Sequence, residues 1–167
     1  MKPGAPKRYA MLVALVLLAC SGEPADPEAA YQRELAAAKD AARASLAAFW
    51  DRFATPEEGD YDFSLKAALP RRDGKSGVEE AWVENVARSP SKIVGELSAQ
   101  PLYLGDLKEG AIVEFQESQI VDWAFMGGDR LFGHFTTRVM LPKMDGEQAG
   151  WLRPLLSETP APEARQQ

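Results

Sequence analysis

The chain has one cysteine and one histidine, Cys20 and His134, and few soft metal donors follow from that. A lone cysteine makes no internal disulfide, so the fold has to be stable without one. A structural zinc site takes four Cys or His ligands and is excluded; only a carboxylate site for a hard cation stays open, and no EF-hand spacing occurs. Positive charge is also in short supply, with 19 Lys and Arg against 25 Asp and Glu and a formal net charge of −6. Nucleic-acid binding depends on Lys and Arg neutralising phosphates, so this balance argues against it, and against a polybasic membrane patch. No apolar run reaches the roughly 20 residues of a membrane-spanning helix. There is no Gly-x-Ser-x-Gly elbow, no internal repeat and no cofactor signature.

The N-terminus supplies an address. Lys2, Lys7 and Arg8 precede an apolar run from Ala10 to Ala19, the pattern of a secretory signal whose core is too short to span a bilayer. Leu17-Leu18-Ala19-Cys20 is similar to the bacterial lipobox, which implies a mature chain starting at Cys20 with lipid on its thiol and amine. A plain signal peptide with an incidental cysteine is the competing reading. Ser21 in place of Asp resembles the sorting signal for the outer membrane. Loss of residues 1–19 removes three positive charges and no negative ones, leaving a more acidic product. The expected location is the bacterial cell envelope, at the periplasmic face of the outer membrane. Ser21 to Ala25 spans at most about 20 Å, so the domain rides close to its anchor.

Asp26-Pro27-Glu28 combines an N-cap, a proline at the first helical position and an acid in the first turn. The apolar spacing of Leu35, Ala38, Ala42, Leu46, Phe49 and Phe53 predicts a helix to about Ala54, stopped at Thr55-Pro56. Alternation then places Tyr61, Phe63, Leu65 and Ala67 on one side of a strand and Asp62, Ser64 and Lys66 on the other. Further strands are expected over residues 78–88, 92–98, 111–115, 119–126 and 130–132, with Gly95 marking a bulge or close packing. Gly127-Gly128-Asp129 is the strongest turn signal. Residues 136–141 read as a short helix, and the Pro, Glu and Gln content after Pro142 reads as a mostly disordered tail. The expected partition is a signal peptide over 1–19, a linker over 20–27, an α+β domain over 28–142 and the tail over 143–167. In that domain a long N-terminal helix packs on a bent antiparallel sheet of about six short strands, with a short C-terminal helix.

Chemistry-bearing patterns are sparse. Gly74-Lys75-Ser76 suggests a phosphate loop, but the motif needs a glycine where Leu69 stands and a helix where a strand follows. Asp122, His134 and Arg138, with Glu80 on a neighbouring strand, form the best polar constellation. Asp122 lies between Val121 and Trp123 in an apolar strand and needs a partner. A structural ion pair of Asp122 with Arg138 outweighs catalysis by Asp122 with His134 or Glu80. Trp82, Trp123 and Phe125 are candidate ligand-binding aromatics, weighed against a core role that strand aromatics more often have.

Ala41-Ala42-Arg43 through Phe49, Phe63-Ser64-Leu65-Lys66, Glu80-x-Trp82-Val83, Gly95-Glu96-Leu97, Gly110-x-x-Val113, Ile120-x-Asp122-Trp123 and Gly133-x-x-Thr136-x-Arg138 occur in this order. Together they resemble the YegJ-like bacterial family, domain of unknown function 2314, over about residues 30–141. That resemblance implies no reaction, cofactor or catalytic residue. The expected function is a membrane-anchored lipoprotein that acts as a non-catalytic binding module for an envelope protein or ligand; the alternative is a hydrolase-like enzyme using Asp122.

Overall fold

A computed structural model describes residues 26–162. The signal segment, Cys20 and nearly all of the linker lie outside the described residues.

Helix α1 runs Pro27–Ala44 and α2 runs Leu46–Ala54, where the apolar spacing predicts one helix. Asp26 caps the start, its side chain accepting a hydrogen bond from the Glu28 amide at 3.0 Å. The interruption is at Ser45, whose hydroxyl donates to the carbonyls of Ala41 and Ala42 at 2.9 and 3.1 Å. Such back-bonding competes with the helical ladder. The Ala42 carbonyl also accepts the Trp123 indole N–H at 2.9 Å, which ties the break to the sheet.

Six antiparallel strands follow: β1 (Asp60–Pro70), β2 (Val78–Arg88), β3 (Ile93–Leu97), β4 (Ile112–Phe115), β5 (Ile120–Gly127) and β6 (Arg130–Gly133). Their order in the sheet is β4-β3-β2-β1-β5-β6. The first four form a meander, and the chain then returns to pair β5 with the free side of β1. The β5–β6 hairpin turns at Gly128-Asp129, with Gly128 at φ 63°. Helix α3 (Phe135–Met140) follows at once, as the sequence predicts.

Three register shifts bend this sheet. One leaves Val121 of β5 without a partner between the Lys66–Asp122 and Ala67–Ile120 pairs, and the other two are bulges on β1 and β2. On β1, Tyr61 pairs with Met126 and Ser64 with Ala124, so Asp62 and Phe63 share one position opposite Phe125. The extra residue breaks the alternation: Tyr61 sits on the same side as Ser64, and the expected grouping of Tyr61 with Phe63 and Leu65 does not hold. On β2, Glu84 pairs with Glu96 and Ala87 with Val94, leaving Asn85 and Val86 opposite Gly95. A side chain on Gly95 would come within 2.6 Å of Val83 Cγ1 and 2.7 Å of the Glu84 carbonyl, so glycine is required there.

The core lies between the helices and one face of the sheet. Leu65, Val83, Leu97 and Trp123 occupy one row across four strands, and all are fully buried. Phe49 of α2 meets Phe63 and Trp123 at ring separations of 5.7 Å. Stacked contacts then run from Phe63 to Phe125 at 5.0 Å and on to Phe132 at 5.2 Å. Arg52 fastens α2 to the start of β1 with two bonds to Asp60, at 2.7 and 2.6 Å.

The segment after Pro142 departs from the disordered tail that its composition suggests. Helix α4 (Gly146–Leu152) is capped by Asp145, which accepts from the Gln148 amide at 2.8 Å. Residues beyond it run parallel to β6: the Leu131 amide donates to Leu155, the Ser157 amide to Leu131 and the Gly133 amide to Pro160. Backbone pairing and the Arg138 contacts below offset a composition poor in apolar residues.

Candidate functional site

Three adjacent strands set the floor of the site. Lys66 on β1 pairs with Trp82 on β2 and with Asp122 on β5, so these three side chains form a row directed away from the helix-facing row of Leu65 and Trp123. Asp122 is completely buried. Its carboxylate accepts from the amides of Trp123, Phe135 and Thr136 at 2.8, 3.1 and 2.8 Å, and from the Thr136 hydroxyl at 2.7 Å. The Phe135 and Thr136 amides are the unpaired donors at the start of α3, so Asp122 caps that helix from a neighbouring strand. Burial pushes its carboxyl above the usual range, while these hydrogen bonds pull in the opposite direction.

The expected ion pair between Asp122 and Arg138 is therefore corrected. Asp122 is satisfied by amides and a hydroxyl. Arg138 gives its guanidinium to the carbonyls of Gly133 and Ser157 at 3.0 and 2.8 Å, and to the Ser157 hydroxyl at 3.0 Å. It clasps the C-terminal segment to β6. Burial lowers its pKa, and the charge of Asp122 opposes that at longer range.

Glu80 is engaged as well. It pairs with Lys39 of α1 and lies 3.7 Å from Lys66, whose ammonium donates to the Thr136 hydroxyl at 3.3 Å. A chain of contacts thus runs Lys39, Glu80, Lys66, Thr136, Asp122. With both Asp122 oxygens occupied and Glu80 held by two lysines, the candidate acid–base groups do not converge on a shared open position.

His134 occupies the junction between β6 and α3. It follows Gly133 at φ 73° and itself adopts φ 54°, a left-handed conformation that His tolerates better than most residues. A side chain at Gly133 would come within 2.0 Å of the Trp123 carbonyl. These two consecutive left-handed residues turn the α3 amides onto Asp122. The His134 ring lies 4.8 Å from the Trp82 ring, and its Nδ1 is 3.1 Å from Thr137 Oγ1. Burial, then the charges of Arg138 and Lys66, lower its pKa to about 4. The imidazole is neutral at physiological pH.

Beside this floor is a groove of about 640 Å³, bordered by Tyr61, Asp62, Trp82, Glu84, His134 and Trp151. That volume is in the range of small-molecule sites. Asp62, Asn85 and His134 are the non-glycine residues with positive φ among the described residues, and all three border the groove. Asp62 and Asn85 are the bulge residues, so the bends that shape the sheet also shape the groove.

Of the three aromatic candidates, only Trp82 faces this space. Trp123 and Phe125 are fully buried in the core and present no surface to a ligand. Sequence reasoning passed over Tyr61, which reaches the groove through the bulge, and Trp151, 70% exposed on α4. It also gave Lys66 and Thr136 no role of their own, although their contacts complete the polar floor. Among the described residues no group of three His, Cys, Asp or Glu side chains is arranged to hold a metal ion.

Residues 32–151 match the model of DUF2314, an uncharacterized protein conserved in bacteria. The chain belongs to the DUF2314 family. No curated protein and no solved structure matches it. Lys66, Glu80, Trp82, Asp122, Thr136 and Arg138, all within the motifs that carry the resemblance, fall in this DUF2314 domain on or beside the α3 junction.

Proposed function

We propose that this DUF2314 protein is a bacterial envelope lipoprotein, anchored through lipid on Cys20, whose domain is a non-catalytic binding module. The groove beside Trp82 and His134 is its binding surface for a protein or small ligand. The observation that carries this reading is the contrast between two neighbouring regions. Asp122 is consumed in seating α3 and Glu80 in pairing with Lys39 and Lys66, whereas the adjoining groove is bordered by Trp82, His134 and Trp151. The lipobox-like Leu17-Leu18-Ala19-Cys20 supports the anchor.

Photo-crosslinking from a reactive residue placed at Ser64, which borders the groove, tests the binding role in intact cells. A reproducible adduct that is lost on Trp82→Ala supports it; adducts unchanged by that substitution refute the groove as the contact surface. Anchoring has its own test: Cys20→Ser releases the protein from the membrane fraction, and continued membrane association argues against lipid on this cysteine.

A further inference from the structure

The charge pattern of the groove points to a class of ligand. Three aromatic rings, Tyr61, Trp82 and Trp151, border it, and the ionised side chains on its border are the carboxylates of Asp62 and Glu84. Neither carboxylate has an ion-pair or hydrogen-bond partner for its side chain among the described residues. This contrasts with Glu79, Glu80, Glu96 and Glu114 on the same sheet, each of which is bonded. His134 contributes no positive charge at neutral pH. The cations nearest the floor are already engaged: Lys66 with Glu80, with Thr136 and, at 6.0 Å, with the Trp82 ring, and Arg138 with backbone carbonyls.

Resting on the reading of this groove as a binding surface, we infer that it takes a small organic cation, an amine or quaternary ammonium carried on an apolar body. Aromatic faces attract such a cation through the ring quadrupole, and nearby carboxylates add Coulombic attraction within the partly desolvated groove. The bulge geometry fixes where these groups lie: Tyr61 is brought to the groove side by the extra residue that places Asp62 at φ 53°, and Glu84 immediately precedes the second bulge. An anion of the same shape meets two carboxylates that have no paired cation and is disfavoured.

Calorimetric titration of the protein with benzyltrimethylammonium, benzyl alcohol and phenylacetate tests this. The cation should bind saturably and at least tenfold tighter than the neutral or anionic probe. Asp62→Asn with Glu84→Gln should weaken the cation at least tenfold and leave the neutral probe unchanged. Both positions are exposed, and Asn tolerates a left-handed backbone, so the double variant keeps the fold. Trp82→Ala should weaken both the cation and the neutral probe. Equal binding of the cation and neutral probes, or preference for phenylacetate, overturns the cation assignment while leaving the groove a binding surface. Absence of binding by all three also overturns the cation assignment, and the photo-crosslinking from Ser64 then decides separately whether the groove is a binding surface.

Discussion

His134 makes folding stability depend on pH in a way that one substitution isolates. In the folded protein its pKa is lowered to about 4 from an ordinary 6.5, chiefly by burial. The unfolded chain therefore accepts a proton near pH 6.5 that the folded chain refuses until about pH 4. Stability from this group is complete above the unfolded value and is lost as pH falls through that window. At about 1.4 kcal/mol per pH unit, the full difference is about 3 kcal/mol, of which about 2.5 kcal/mol is lost by pH 4.5. Asp122 acts in the opposite sense, since its raised pKa makes the folded state the better proton acceptor in its own titration range. His134→Asn separates the two: Asn accepts the left-handed backbone and its amide can replace the contact with Thr137, but it does not titrate. Urea unfolding at pH 7 and pH 4.5 should show the parent losing about 2.5 kcal/mol more than H134N. Equal losses, within about 0.5 kcal/mol, refute the claim that burial of a neutral imidazole is the cause.

Asp122→Ala leaves the amides of Trp123, Phe135 and Thr136 without their acceptor in a buried site, and should cost about 3–5 kcal/mol in denaturant unfolding. Asp122→Asn keeps one acceptor oxygen and should cost less. Arg138→Ala removes the clasp on Ser157, and hydrogen exchange should accelerate at the Leu131, Gly133 and Ser157 amides while the Leu65 and Val83 amides in the central strands stay protected.

Much of the architecture is legible in the sequence because local signals and burial agree. The capped start at Asp26, the stop at Thr55-Pro56, the Gly128-Asp129 turn and the strands follow from periodicity and turn chemistry. Three features escape it for separate reasons. The break at Ser45 is held by that residue's back-bonding and by the Trp123 indole on the Ala42 carbonyl, a partner from far along the chain that helical spacing cannot register. Tyr61 changes faces because one inserted residue at Asp62 resets the alternation, and nothing in the spacing of apolar residues marks the insertion. The C-terminal segment is too polar to signal packing, and is held by backbone pairing and by Arg138 instead. At the site, Asp122 reads as a buried charge in need of a partner. That is correct, but the partners are main-chain amides presented by the Gly133-His134 turn, which no list of oppositely charged residues contains.

The parallel run of residues 155–160 along β6 also covers an edge of the sheet. Without that stretch, β6 would present unpaired amides at Leu131 and Gly133, a template for strands of other chains. The pairing thus acts as a built-in guard against self-association at the outer edge of the sheet.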